Sequence, residues 1–186
     1  MAIAPGTYTL GPADGTLTVR TGKGGAAAKA GHNLVIEVTA WQATLDIADA
    51  ASAAMALTAD ARSLRVRSGS GGISPLGDEE KASIAQSIDE DVLKGGAITF
   101  RSNAVDVAAD GALKVRGDLD LLGRTRPVTF DLAAGDDGRL TGSTRFKQTD
   151  WGIKPYSALF GTLKVADEVE VGIDARLPPG GAREPT

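Results

Sequence analysis

The sequence predicts an all-β protein in which eight or more antiparallel strands close into a barrel, with one helix in the middle of the chain. Apolar and polar residues alternate with a period of two along most of the 186 residues, as is typical of strands with one buried face. Turn dipeptides such as Asp110-Gly111 separate the alternating segments. A closed barrel is favoured over a flat sandwich because closure removes exposed strand edges.

The first two strands are predicted from residues 6–10 and 16–20. They flank Asp14-Gly15, which indicates an opening hairpin with Leu17 and Val19 turned inward. The glycine-rich stretch TGKGGAAAKAG follows. It lacks the G-x-x-x-x-G-K-S/T spacing of a phosphate-binding loop, so a flexible loop is the better interpretation.

Two changes of phase interrupt the alternation. Residues 32–47 alternate twice, and the phase shifts between Ala40 and Trp41. This shift indicates a bulge or a tight turn that directs Trp41 towards the core. A second shift near Asn103 predicts a bulge, and bulges bend a sheet towards closure.

One segment, residues 78–94, has a helical period instead. Asp78 is available as its N-cap, and Gly95-Gly96 ends it. The residues that share its apolar face are Ile84, Ala85, Ile88 and Val92. A single amphipathic helix at this place in the chain is interpreted as a lid or plug across one end of the barrel.

The second half of the chain returns to the strand pattern. Residues 113–121 alternate over nine positions before a turn predicted at residues 123–127. The last strand, residues 163–177, would span roughly 50 Å at about 3.3 Å per residue. A compact domain of this size has a radius of gyration near ~16 Å. This strand is therefore expected to coil, with Gly172 as a bend.

Composition bounds the class of protein. The length predicts one domain over residues 1–177, followed by a disordered tail, residues 178–186. A net charge of -4 without a basic stripe argues against nucleic-acid binding. The chain has no cysteine and one histidine, which excludes disulfides, thiolate metal sites and an all-histidine zinc site. No metal or cofactor is predicted.

Targeting signals are also missing from the sequence as written. The amino terminus has no basic leader followed by an apolar run, and no stretch approaches the ~20 apolar residues of a membrane-spanning helix. We therefore expect a cytoplasmic protein without a transmembrane segment.

Three motifs in order resemble the YceI-like family. They are I-x-F-x-S at Ile98, G-x-L-x-x-x-G-x-T-x-P-V at Gly117 and D-W-G-I at Asp150. His32-Asn33-Leu34 matches the family's second strand, and residues 156–165 look like the form found in actinobacterial members. The resemblance covers about residues 6–177.

The resemblance implies a lipocalin-like, eight-stranded barrel capped by the helix, whose interior takes a long isoprenoid, quinone-like or other lipid chain. The protein would then be a carrier that binds a lipophilic small molecule. An aromatic content of only 4% is consistent with a wide cavity and also with a packed core. The alternative is therefore a filled barrel that acts as a protein-interaction module, with a homodimer possible.

The predicted ligand-binding residues combine polar groups at the mouth with apolar groups that face inward. They are His32, Leu34, Ile36, Trp41, Phe100, Leu119, Leu121, Phe130, Phe146, Trp151, Tyr156 and Phe160. A buried histidine bonded to backbone is an alternative for His32, and ordinary core packing is an alternative for the strand aromatics. Asp118 and Asp120 have the spacing of a carboxylate pair, but they lie on the outward face of a strand with no histidine or cysteine nearby. No catalytic residue is predicted.

Overall fold

The computed structural model describes residues 3–49, 52–158 and 162–178. In these residues the helical elements are α1 (Asp78–Ser87), a π-helical turn (Ile88–Leu93) and three short 3-10 turns (Ala28–Ala30, Ala61–Ser63 and Gln148–Trp151). The strands are β1 (Gly6–Leu10), β2 (Gly15–Gly24), β3 (Asn33–Val38), β4 (Trp41–Asp49), β5 (Ser52–Asp60), β6 (Leu64–Ser70), β7 (Ala97–Val107), β8 (Leu113–Leu121), β9 (Arg124–Ala134), β10 (Arg139–Lys147), β11 (Ser157–Ala158) and β12 (Leu163–Arg176).

The strands form one curled antiparallel sheet, so the predicted all-β, barrel-like class is confirmed. Their order is β1-β4-β5-β7-β8-β9-β10-β12-β2-β3-β6, and the two-residue β11 pairs with β12. The predicted number of eight is wrong, because eleven strands lie on this path in the part of the chain that is described. The reason is that three long passes of the chain are each broken into two strands, β1 with β2, β3 with β4 and β5 with β6.

A corner between β3 and β4 causes two of these breaks. The Thr39 amide donates to the Ser63 carbonyl over 3.1 Å, and the Asp60 amide donates to the Ala40 carbonyl over 3.0 Å. On one side of the corner β3 pairs with β2 and β6, and on the other side β4 pairs with β1 and β5. The phase shift predicted before Trp41 is therefore confirmed as the place where the sheet turns and curls on itself.

The opening hairpin is a wrong prediction. Strands β1 and β2 do not pair with each other, since β1 pairs with β4 while β2 pairs with β3 and β12. The turn between them is real, because the Gly11 amide donates to the Asp14 carboxylate and the Asp14 amide donates to the Gly11 carbonyl, both over 2.9 Å. This turn leads the chain from β1 into β2 around the corner of the sheet, and it does not fold the two strands against each other. Leu17 is buried, and Val19 packs against the core.

The bulge near Asn103 and the turn at Asp110-Gly111 are confirmed. The register of β7 on β8 shifts between Ser102 and Ala104. Gly111 has a φ of 90°, and the Asp110 carboxylate accepts from the Ala112 amide over 3.0 Å. The bulge lies within β7, and the turn connects β7 to β8. Along both strands the side chains alternate as the sequence indicates.

The turn after β8 is shorter than predicted. It consists of Leu122 and Gly123, with φ of 56° and 73°, and β9 already begins at Arg124. Pro127 lies inside β9, although proline has no amide to donate to a neighbouring strand. It is accommodated because β10 pairs only with residues 131–134 of β9, which leaves the first half of β9 unpaired on that side.

The helix agrees with its sequence pattern apart from its first residue. Gly77, not Asp78, is the N-cap, and the Gly77 amide donates to the Glu80 carboxylate over 2.8 Å. The helical run continues through the π-helical turn and stops at Lys94 and Gly95, which have positive φ values of 51° and 62°. Helix α1 packs on β6. None of the helices in the described ranges is long and apolar enough to cross a membrane.

Tightly packed side chains fill one end of the barrel. The largest fully buried side chains are Leu45, Leu113, Val115 and Leu132. They belong to a cluster that also contains Tyr8, whose hydroxyl donates to the Ala4 carbonyl over 2.8 Å. Several inward-facing residues nearer the helix, such as Leu119 and Phe146, are only partly buried. The barrel is therefore solid at one end and open inside at the other. The predicted disordered tail lies outside the described residues beyond Pro178.

The filled end should carry much of the stability. Leu113→Ala is expected to lower the free energy of unfolding by about 2–5 kcal/mol, because Leu113 is 1% exposed and its neighbours leave a cavity when it is truncated. Urea unfolding followed by circular dichroism measures the change. Ile73→Ala is the control, since Ile73 is 85% exposed and should change stability by less than about 0.5 kcal/mol. Equal effects of the two variants would contradict the packing described.

Candidate functional site

The hollow end of the barrel contains a cavity of about 450 Å³. This volume lies within the range of about 300–1,000 Å³ that is usual for small-molecule sites. Its wall consists of inward-facing side chains from strands on all sides of the barrel. Representative wall residues are Val19, Leu57, Ile98, Phe100, Leu119, Val128, Phe130, Phe146, Val171 and Ile173.

The floor of the cavity is the upper surface of the packed end. Leu17, Val38 and Leu132 line the cavity and are also between 2% and 6% exposed. Leu132 pairs across the sheet with Leu113, which lies outside the cavity lining. The cavity is therefore closed at this end by tightly packed aliphatic side chains.

The helical segment forms part of the wall near the other end. Ile84 on α1 and Ile88, Val92 and Leu93 on the π-helical turn all line the cavity. Ile84, Ile88 and Val92 belong to the predicted apolar face. Leu93 was not predicted, and Ala85, the fourth residue of that face, is not among the lining residues. The predicted function of the helix, closing part of the barrel, therefore matches its place in the fold.

The turn that contains Trp151 packs against residues of the cavity wall, although Trp151 itself does not line the cavity. Trp151 is 2% exposed, and its indole N–H donates to the Leu119 carbonyl over 2.9 Å. Its ring centre lies 4.7 Å from that of Phe146, which lines the cavity. Trp151 forms a second apolar cluster with Leu121 and Ile153. It fills the region where β9 and β10 no longer pair and keeps Phe146 in position.

Asp167 ties the same turn to β12. Its carboxylate accepts from the Thr149 hydroxyl over 2.6 Å and from the Thr149 amide over 2.9 Å. These hydrogen bonds lower the pKa of Asp167 below its ordinary value of 3.8. The resulting stabilisation is present above the pKa of the unfolded chain and is lost as the pH falls through the lower pKa of the folded state. The turn is thus fastened to β12 at neutral pH.

The structure brings most of the predicted ligand-binding residues together around the cavity. Those that line it are His32, Leu34, Ile36, Phe100, Leu119, Leu121, Phe130, Phe146 and Tyr156. Trp151 lies behind the wall. Trp41 lies in the packed core beside the corner, where its indole nitrogen is buried without a hydrogen-bond partner among the described residues. Phe160 lies outside the described residues. Contact of any of these residues with a ligand stays a prediction.

His32 lies at the mouth, where it is half-buried and bonded to backbone. Its Nε2 lies 2.8 Å from the Ser74 carbonyl oxygen. The ring also lies against the backbone of Gly72, where a Cβ atom would collide with it. His32 therefore holds the loop that leads into α1, and the residue also lines the cavity. Tyr156, which is 44% exposed, lines the same end.

Sequence reasoning missed one inward-facing lysine, Lys23, which lines the cavity. Lys164 also borders the cavity, but Val165 is the residue that pairs with Lys23, so the side chain of Lys164 lies on the opposite, exposed face of β12. Lys23 belongs to the glycine-rich stretch that was expected to be a flexible loop. That prediction is wrong for its first residues, because β2 extends to Gly24. The strand alternation of β2, continued beyond Val19, would have placed Thr21 and Lys23 on the inward side.

The outward carboxylates have structural partners. Asp118 accepts from the Asn103 side chain over 3.0 Å, and Asp120 accepts from the Thr125 hydroxyl over 2.8 Å and from the Gly123 amide over 3.1 Å. They secure the bulge of β7 and the turn after β8. In the described part of the chain, no group of three or more histidine, cysteine or acidic residues could hold a metal ion.

Comparisons with known proteins agree with this architecture. The fold is similar to the crystal structure of Burkholderia cenocepacia BcnA, with 19% identity and a TM-score of 0.62 over 88% of this chain and 96% of that chain. It is also similar to the Campylobacter jejuni YCEI protein, with 16% identity and a TM-score of 0.53 over 80% of this chain and 85% of that chain. No curated protein sequence gives a match. The model of the YceI-like domain matches residues 8–177. The chain therefore belongs to the YceI-like family.

Proposed function

We propose that this protein is a carrier that binds one apolar or amphiphilic molecule inside the barrel, such as an isoprenoid, a quinone-like compound or a fatty lipid. The observation that supports the proposal is the cavity of about 450 Å³, which has an aliphatic and aromatic wall and polar groups at one end. An amphiphile fits this arrangement because its tail is buried while its head group keeps hydrogen bonds.

The driving force would be the burial of apolar surface on both partners. Val19, Phe130 and Val171 point inward, yet they are only partly buried because they face the hollow. Covering such a wall contributes roughly 25 cal/mol per Å² of apolar surface, less the cost of ordering the ligand. A rigid barrel keeps the ordering cost of the protein itself small.

The alternative function, a filled barrel that serves as an interaction module, has less support. A filled barrel needs a packed interior throughout, whereas here only one end is packed. A stable protein interface also needs a surface patch with several large apolar side chains. Among the described residues, the exposed large apolar side chains are Ile73 and Tyr156.

Native mass spectrometry of the protein purified from its expressing cells tests the proposal. We expect an adduct of one small molecule for each chain, which organic extraction releases for identification. The same protein after extraction should bind an environment-sensitive apolar dye with a stoichiometry of one. A mass without adduct, together with no uptake of dye or of added isoprenoid, would overturn the carrier function.

A cavity-filling substitution should block binding without unfolding the protein. Val171→Phe adds a ring to the wall and would displace about four methylene-sized groups of ligand, each worth ~0.8 kcal/mol. The dissociation constant should rise about 200-fold, as measured by dye titration. Val35→Phe on β3 makes the same change on the outer face, because Val35 alternates with the inward Leu34 and Ile36. Equal binding by the two variants would contradict a ligand inside the barrel.

A further inference from the structure

We propose that the mouth of the barrel docks on the surface of a bilayer that contains anionic phospholipid. The docking surface, called the basic rim below, consists of residues 22–33, 70–77, 152–158 and 162–164. This inference goes beyond the proposed function, because a carrier that works from solution needs no such surface. Two independent features support it, the charges of these segments and the apolar side chains that they expose.

The basic rim carries positive charge without any negative charge. Its four segments contain neither aspartate, glutamate nor arginine, but they contain four lysines, Lys23, Lys29, Lys154 and Lys164. The whole chain, in contrast, has a net charge of -4. A protein with this distribution of charge is oriented near an anionic surface, with the basic rim towards that surface.

Three of these lysines are available to lipid phosphates. Lys29, Lys154 and Lys164 are exposed, and the ion pairs within the described residues include none of them. Lys164 points away from the cavity, because Val165 is the residue that pairs with the inward-facing Lys23. A lysine side chain can lay its stem along apolar surface while its ammonium reaches a phosphate oxygen. These cations can therefore pair with a bilayer surface without disturbing the cavity.

Hydrogen bonds join the segments of the basic rim on the side of β2 and β12. The Ala27 amide donates to the Thr162 carbonyl over 2.8 Å, which connects residues 22–33 to the start of β12. The Val165 amide donates to the Tyr156 carbonyl over 2.9 Å, which connects β12 to residues 152–158. These segments therefore form one continuous surface at the mouth.

The loop before α1 adds an exposed apolar side chain to this surface. Ile73 is 85% exposed. Its neighbours in the loop are held in place, because Gly71 lies against the Lys23 ammonium and the Ser74 carbonyl lies 2.8 Å from Nε2 of His32. The loop thus presents Ile73 to solvent from an anchored backbone, close to a cation of the basic rim.

Exposed apolar side chains are concentrated in the basic rim. Among the described residues, the exposed large apolar side chains are Ile73 and Tyr156, and both belong to it. Apolar side chains next to lysines are typical of surfaces that insert between lipid head groups and acyl chains, and tyrosine is suited to a boundary that is apolar on one side and wet on the other. Two such residues are too few for the core of a protein interface. The partner that fits them is a bilayer rather than an acidic protein.

Helix α1 limits the basic rim on one side, because it begins directly after the loop with Asp78, Glu79 and Glu80. Asp78 accepts from the Lys81 ammonium over 3.1 Å, and Glu80 accepts from the Gly77 amide over 2.8 Å. Glu79 keeps its negative charge at the edge of the docking surface. We therefore expect the molecule to tilt so that the side of β2 and β12 lies closest to the bilayer.

Docking in this orientation has a consequence for the cavity, and this consequence alone rests on the proposed function. The mouth would face the acyl chains of the bilayer. An apolar ligand could then pass between lipid and barrel without crossing water, which removes the cost of exposing its surface.

Flotation of the full chain with lipid vesicles, without added ligand, tests the proposal. The vesicles consist of phosphatidylcholine alone or of phosphatidylcholine with about 40% phosphatidylglycerol, and we expect at least about tenfold stronger partition to the anionic ones. Raising the ionic strength from about 0.05 M to about 0.5 M shortens the Debye length about threefold and should release most of the protein. Equal partition to both vesicles, or no partition to either, would overturn the proposal.

Substitutions of charged residues locate the docking surface. Lys29→Gln, Lys154→Gln and Lys164→Gln should each weaken partition about fivefold, with unchanged thermal stability because these side chains are exposed and take part in no ion pair. Glu79→Gln removes a charge of the opposite sign and should strengthen partition. Lys114→Gln is the matched control, since Lys114 is an exposed lysine on β8 next to the filled end. A loss in this control as large as in the three lysine variants would contradict the location.

A tryptophan at position 73 reports contact with lipid. Trp41 and Trp151 are buried, with 6% and 2% exposure, so the ring added by Ile73→Trp should dominate any change in emission when vesicles are added. We expect a shift to shorter wavelength and quenching by brominated acyl chains. Lys114→Trp, at the opposite end, should show neither. If the ring at position 73 stays in water while the protein floats with the vesicles, the assignment of this loop to the docking surface is wrong.

Two further measurements separate the possible outcomes. Ile73→Ser should weaken partition to anionic vesicles about tenfold; binding to soluble polyglutamate that this variant leaves unchanged, without partition to vesicles, would overturn the bilayer and indicate an acidic protein instead. Dye titration of the same variants should give unchanged affinity. Failure to float with intact dye binding would overturn docking and leave the carrier function standing, whereas flotation of a protein that binds no dye would overturn the carrier function alone.

Discussion

Whether the side chains that point into the barrel meet across its interior determines where this molecule is solid and where it is hollow. A barrel of this circumference is just wide enough for its own side chains to meet across the interior or to enclose a slender ligand. At one end Tyr8, Leu45 and Leu113 meet and leave no space. At the other end the inward positions of β2 and β12 hold Val19 and Val171, which face an open cavity together with larger side chains such as Phe130. The remaining features follow from this division.

The hollow end needs support from outside the sheet, because part of its wall lacks hydrogen bonds between strands. Pairing between β9 and β10 covers only four register positions, from Leu140 with Ala134 to Ser143 with Asp131. Trp151 fills the gap beyond them, and its hydrogen bond to the Leu119 carbonyl fixes the ring against Phe146. A fully paired wall would not need a buried tryptophan there. The D-W-G-I motif thus packs against the cavity wall through Trp151, and its Ile153 lines the cavity.

Local patterns predicted the features that depend on a few neighbouring residues. The alternation, the bulge near Asn103, the turn at Asp110-Gly111 and the helical face of Ile84 and Ile88 are all features of this kind. Strand partners were harder, because the corner between β3 and β4 decides that β1 pairs with β4 instead of β2, and the residues in that contact are far apart in the chain. Alternation also tells on which side of the sheet Trp41 lies, but not at which height along the barrel. For that reason the sequence could not separate core aromatics from cavity aromatics.

The division of the barrel also separates stability from binding. Side chains at the filled end contact one another, so a change in one of them leaves a void or a clash among its neighbours. Side chains around the cavity contact open space on one side, and a change in their size alters the cavity more than it alters packing within the protein. Lys23 belongs to this second group, because it lines the cavity on the inward side of β2. The hollow end can therefore change in volume and charge while the filled end keeps the barrel folded.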